Sequence, residues 1–148
     1  MKLVQCTSTS QDGWLSLRRE LWPESPPDEH LAEMRTFIEQ PGRFFQLVAY
    51  DADRLPAGFV EAALRTDYVN GTDSSPVAFV EGIYVAPSYR RRGIGTLLVA
   101  AVVTWAKACN CTELASDALL DNKTSQAMHR ALGFEETERV VFYRKLIP

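Results

Sequence analysis

Three arginines followed by two spaced glycines, Arg90-Arg91-Arg92-Gly93-Ile94-Gly95, stand where a β-forming run gives way to a helical one. Val80, Ile83, Tyr84 and Val85 favour a strand, and Ala86-Pro87-Ser88 breaks it. Ile94, Leu97, Leu98, Ala101, Val102, Trp105 and Ala106 then recur at three- and four-residue spacing, one face of an α-helix. A helix start leaves amide N–H groups without backbone partners and carries partial positive charge, so it suits an anion. Gly93 and Gly95 let a bulky group approach the main chain, and the arginines add formal charge beside those amides. Together they describe a pyrophosphate cradle. The spacing is neither G-x-G-x-x-G nor a P-loop, and a basic helix start on a solvated surface would account for the same six residues.

The remaining elements must position this cradle. Leu3 to Cys6 reads as a first strand, and Ser10 can cap a helix that carries Trp14, Leu17 and Leu21 on one face until Pro23. Trp22, beside the breaker, is either core packing or an exposed aromatic wall. Pro27 or Asp28 starts a second helix with Leu31, Met34 and Ile38 inward and His30 on its wet side. Strands are expected over Phe44 to Tyr50 and Ala57 to Arg65, with Asp51 and Asp53 solvated in the turn between them. Residues 66–76 form a loop longer than a hairpin needs, from which Tyr68 can project. After the central strand and helix, Cys111 to Ser116 predicts another strand, and Thr124, Ala127, Met128, Ala131 and Leu132 a helix stopped by Gly133. Thr137 to Lys145 predicts a last strand. The order β-α-α-β-β-β-α-β-α-β describes an α/β protein, a mixed sheet with helices on both faces.

A chain of 148 residues with 46% hydrophobic content fits one domain, 1–148, with a normal core. A net charge of −3 leaves only the local patch Arg90 to Arg92, which argues against a nucleic-acid partner. Neither a membrane span nor a signal peptide is apparent, and Cys6, Cys109 and Cys111 suit reduced thiols, so a cytoplasmic protein is expected. His30 and His129 do not stand at zinc-site spacing, and no metal is expected.

Arg90-x-x-Gly93-x-Gly95 directly after a strand resembles the acetyl-CoA signature of the GCN5-related N-acetyltransferases, GNAT for short. Asn122, Ser125 and Met128-His129-Arg130-Ala131-Leu132-Gly133-Phe134 resemble that superfamily's second block. More narrowly, Leu21-Trp22-Pro23, Asp67 to Gly71, Ser74-Ser75-Pro76, Glu81 to Val85, Ala115-Ser116-Asp117 and Gly133 to Val140 resemble the aminoglycoside 6′-N-acetyltransferases of type I. The resemblance implies the GNAT acyl-CoA N-acyltransferase fold and transfer of acetyl from acetyl-CoA to the 6′-amine of a cationic aminoglycoside, by direct attack in a ternary complex. It implies a role in antibiotic resistance, and a homodimer for which the apolar Val140 to Tyr143 supplies an interface.

An ammonium cannot attack a thioester, so such a site must bind a cation, remove a proton and polarise the carbonyl. Gly82 inside a strand marks a bulge or a close backbone approach, and a bulge would free an amide near Ile83 for the thioester oxygen. Ile83, Tyr84 and Val85 would line the pantetheine arm, and Arg91, Arg92, Gly93, Ile94, Gly95 and Thr96 the pyrophosphate. Asn122 joins this cofactor set by match to the family. Glu81 and Asp117, on or after neighbouring strands, are the candidate catalytic groups and acceptor anchors, taking the proton directly, through a water, or leaving it to solvent. Trp22, Tyr68 and Glu138 complete the acceptor set by match, with Glu136 a lesser candidate. Where much of the superfamily carries a tyrosine that can protonate the leaving thiolate, this chain has His129, which either serves as that acid or packs beside CoA. Two other readings share the cofactor residues: an acetyltransferase for a polyamine, a lysine or a protein N-terminus, and a non-catalytic acyl-CoA-binding module.

Overall fold

The computed structural model describes residues 1–148. Its elements run β1 (Lys2–Gln5), α1 (Trp14–Leu21), α2 (Pro27–Glu39), β2 (Phe44–Tyr50), β3 (Pro56–Arg65), β4 (Val77–Val85), a 3-10 turn at Pro87–Tyr89, α3 (Ile94–Ala108), β5 (Leu114–Ala115) and α4 (Lys123–Ala131). The strands form one sheet in the order β1-β2-β3-β4-β5, antiparallel from β1 to β4 and parallel between β4 and β5.

Strand alternation divides the core into two layers. Leu47, Ala49, Val60, Ala62 and Val80 face α3 and meet Ile94, Leu98 and Val102. Val48, Tyr50 and Phe59 face the other way and meet Trp14 and Leu17 of α1 and Met34 of α2. Helices on both sides of the sheet follow from strands that are apolar on both faces.

Five local expectations give way. Helix α1 begins at Trp14, not behind Ser10: Gly13 takes the cap position at φ 79°, while the Ser10 hydroxyl pairs with that of Ser8. His30 is 1% exposed rather than wet, because it supplies hydrogen bonds to a buried charged cluster beneath Trp22. Asp51 ties its turn together, accepting from Tyr89 Oη at 2.6 Å and from the amides of Asp53 and Leu55, and these bonds hold its carboxyl below the usual range. The strand expected over Cys111 to Ser116 shrinks to Leu114–Ala115, which pairs only with Ala78 and Phe79 before the two strands part. The last strand is missing: Thr137 to Lys145 has no partner in the sheet, and Val141, Phe142 and Tyr143 are exposed. A β-forming pattern becomes a strand only by pairing, and this segment joins neither β1 nor β5, the two edges of the sheet.

Candidate active site

The cradle forms where β4 hands the chain to α3. Gly93, at φ 78°, turns the main chain into the helix without a side-chain cap, so the first-turn amides of Ile94, Gly95 and Thr96 stay available. A Cβ at Gly93 would meet nothing within 4 Å; the space above it is open. The arginines divide their work. Arg90 donates from Nε to the Val85 carbonyl at 2.8 Å, Arg92 lies over Tyr89, and Arg91 is exposed with a positive φ of 62°. Open amides at the start of a helix, flanked by exposed guanidinium groups, fit a pyrophosphate. Ile83 and Val85 pack toward α3, while Tyr84 faces the opposite layer and donates to Glu20 at 2.9 Å. Asn122 caps α4, its side-chain oxygen accepting from the Ser125 amide at 3.0 Å.

The expected bulge lies in β4. Glu61 pairs with Gly82 and Ala62 with Val80, leaving Glu81 without a partner in β3. One extra residue resets the alternation, so Gly82 is turned to α1, where Trp22 leans directly on it. A Cβ there would collide with the indole. The same region is where β5 leaves β4: pairing ends at Phe79 and Ala115, two residues short of Glu81 and Asp117. Asp117 is exposed, whereas Glu81 is half-buried and paired with Arg65, a residue the sequence did not single out.

Beneath Trp22 lies a network that sequence reasoning also missed. Arg18 (1% exposed) donates to Glu61 (2% exposed) and to Glu33, and from Nε to His30 Nδ1 at 3.2 Å. With Nδ1 accepting, His30 donates from Nε2 to the Trp22 carbonyl at 3.2 Å. Trp14 Nε1 donates to Glu61 at 2.9 Å, and the Arg18 guanidinium lies 4.9 Å from the Trp22 ring centre. Burial pushes the Glu61 carboxyl up, and Arg18 and Trp14 pull it back. A cavity of about 450 Å³ opens over this network, with Trp22, Glu33, Glu61 and Glu81 among its walls. Carboxylates together with the flat wall of an indole suit a polycation built on sugar rings.

Tyr68 projects from the 66–76 loop at 74% exposure. That loop is anchored by Val69, which packs with Val77 and Phe79. Thr137 and Glu138 lie against its Gly71 turn, so Glu138 stands beside the loop that carries Tyr68. Glu136 instead pairs with Arg139. His129 is engaged on both sides: Nδ1 donates to the Ser125 carbonyl at 2.7 Å, and the Ser116 hydroxyl donates to Nε2 at 2.7 Å. The ring thus has no free nitrogen, and the hydroxyl it meets belongs to the residue before Asp117. No group of three or more His, Cys, Asp or Glu side chains converges as metal ligands would.

A splayed parallel pair of strands beside a bulge, followed by an open glycine-led helix start, defines an acyl-CoA-dependent transferase site. The chain belongs to the acetyltransferase (GNAT) family, whose profile matches residues 12–134. It is 52% identical over 99% of both chains to an aminoglycoside N(6′)-acetyltransferase type 1 of Acinetobacter baumannii. The apo crystal structure of the aminoglycoside 6′-N-acetyltransferase AAC(6′)-IG from Acinetobacter haemolyticus superposes with a TM-score of 0.94 at 46% identity, covering all of both chains. AAC(6′)-Iy bound to the bisubstrate analogue CoA-S-monomethyl-acetylneamine superposes at 0.91 with 47% identity, over 99% of this chain and 98% of that one.

Proposed function

We propose that residues 1–148 act as one N-acetyltransferase domain that moves acetyl from acetyl-CoA to the 6′-amine of an aminoglycoside, and thereby confers aminoglycoside resistance. The observation that carries this reading is the junction at Glu81-Gly82. There a bulge and an aromatic wall stand just beyond the last β4–β5 pair, with Asp117 two residues past the end of β5. The likeness to enzymes of that name along the whole chain supports the choice of acceptor.

On this reading Ile83 to Val85 and Arg91 to Thr96 hold acetyl-CoA, while Trp22, Tyr68, Glu81, Asp117 and Glu138 hold the polyamine. Asn122 contributes by capping α4 at the cofactor's edge. Asp117 or Glu81 takes the proton from the 6′-ammonium, directly or through water, and the free amine attacks the thioester carbon. The amide freed by the bulge steadies the oxygen as charge develops on it. Collapse breaks the C–S bond, the electron pair leaves with sulfur, and the second proton shed by the attacking nitrogen balances the one the thiolate takes up through water. An acetyl-cysteine route has little support from Cys6 and Cys111: burial pushes the Cys6 thiol up to about 12 and raises that of Cys111 as well. His129 packs beside the cofactor in this scheme; were it the acid, its proton would have to pass through Ser116.

The chain contains no helix long and apolar enough to cross a membrane. Its reading as a cytoplasmic enzyme rests on acetyl-CoA as co-substrate. A homodimer is also part of the proposal, since Val141, Phe142, Tyr143 and Ile147 are at least 74% exposed on the unpaired C-terminal segment and a second copy would cover them. Size-exclusion chromatography with light scattering checks that assembly, a monomer refuting it. For the activity, the product made from neamine and acetyl-CoA is examined by NMR: acetyl on the 6′-nitrogen is expected, and acetyl elsewhere or no product refutes the assignment.

A further inference from the structure

We propose that Arg65 determines acceptor specificity, acting as a built-in cation that occupies the ammonium-binding face of Glu81. The inference rests on the acceptor reading given above. Arg65 closes β3, and its Nη2 donates to both oxygens of Glu81, at 2.9 and 3.1 Å. The guanidinium carbon stands 3.6 Å from the centre of the Phe79 ring, and Phe79 is buried against Val69, the anchor of the loop bearing Tyr68. The cation is therefore held at a fixed place by stacking as well as by charge. Asp117 enters no ion pair, so of the two carboxylates at the splay only Glu81 has its charge answered from within the chain.

An acceptor ammonium approaching Glu81 meets an oxygen pair already engaged by a guanidinium. Its attraction to that carboxylate is offset by repulsion from Arg65 at nearly the same distance. A single amine gains little from such a pair, whereas a polyamine that also reaches Asp117 and Glu138 gains from carboxylates no internal cation answers. Arg65 thus selects for acceptors with several ammonium groups and holds Glu81 in one rotamer for them. It is a positioning and selecting group, not one that touches the transferred acetyl.

The test compares the wild type with Arg65→Met, which removes the charge and keeps an unbranched stem over Phe79, and with Arg65→Lys, which keeps the charge. Binding of neamine and of a simple alkyl monoamine is measured by calorimetry at low and high salt, alongside the KM for acetyl-CoA. Arg65→Met is expected to bind the monoamine about two- to fivefold tighter at low salt, the scale of a half-exposed ion pair. Neamine gains less, high salt closes the gap, and the KM for acetyl-CoA does not move. Arg65→Lys stays near the wild type. Unchanged or weaker monoamine binding by a folded Arg65→Met protein overturns the proposal, as does equal tightening by Arg65→Lys. Should Arg65→Met not fold, Arg65→Gln carries the same expectation. A wild type that acetylates spermidine and ignores neamine would remove the aminoglycoside reading alone; the same comparison with spermidine as titrant would then decide the role of Arg65.

Discussion

Arg18→Met removes the cation on which the buried side of the acceptor wall depends, and its consequence can be worked out in advance. Glu61 is 2% exposed, and its Oε1 accepts from Trp14 and Arg18 alone. Taking away one partner of a buried ion pair leaves an uncompensated charge and typically destabilises by about 3–5 kcal/mol. That is a large share of the roughly 5–15 kcal/mol that holds a domain folded. The loss depends on pH, because burial raises the Glu61 carboxyl above its unfolded value and Arg18 is the main group opposing the rise. Between those two values the folded state binds more protons than the unfolded one, so stability falls as pH rises through the folded value. Without Arg18 that window widens upward. Urea unfolding followed by tryptophan fluorescence should show a smaller loss at pH 5 than at pH 8, and Glu61→Gln placed in the Arg18→Met background should recover much of it. A loss below about 1 kcal/mol at pH 8, or one equal at both pH values, would refute the account of the network. Because Arg18 also lies over Trp22, the surviving activity should show a raised acceptor KM with an unaltered KM for acetyl-CoA.

Three further expectations concern the site itself. Gly82→Ala drives a methyl into the Trp22 indole and, at about 1–3 kcal/mol of overpacking, should raise the acceptor KM at least severalfold; unchanged kinetics would show that the indole does not wall the cleft. Gly93→Ala places a side chain in a left-handed turn, at about 1–2 kcal/mol, and intrudes on the cradle, so the KM for acetyl-CoA should rise while that for the acceptor stays. Asp117→Asn should lower aminoglycoside turnover about 100-fold or more and spare acetyl-CoA binding, the usual contribution of a positioned base. Unaltered steady-state kinetics would rule out that role.

Much of this architecture was legible because local pattern and tertiary packing agree. Phe44 to Tyr50 is apolar at every position but Gln46 and stands as β2 with the expected bounds, since both its faces are covered by helices. Gly82 announced the bulge, and Gly133, at φ 90°, ends α4 with the Phe134 amide donating back to the His129 carbonyl at 2.9 Å. What failed lies where partners are remote in sequence. Thr137 to Lys145 carries the β-forming run Val140 to Tyr143 but pairs with neither edge of the sheet, and composition alone cannot supply a partner. His30 looks wet because its polarity fits a solvent face, yet Arg18 and the Trp22 carbonyl are waiting for both its nitrogens. Two signals for that cluster were present: Glu61 is a lone acid in an apolar strand, and Arg18 stands four residues after Trp14 and four before Trp22, on the buried side of its helix. For Arg65 there was none, because its role depends on a register that only the folded sheet fixes.

The central claim is that this chain acetylates a 6′-amine, and release of free thiol from acetyl-CoA tests it most directly. The panel pairs aminoglycosides carrying a 6′-amine with those carrying a 6′-hydroxyl, and adds spermidine and a lysine peptide. Thiol release with the 6′-amino compounds alone is the predicted result; release with spermidine or the peptide instead, or with none of the amines, would contradict it.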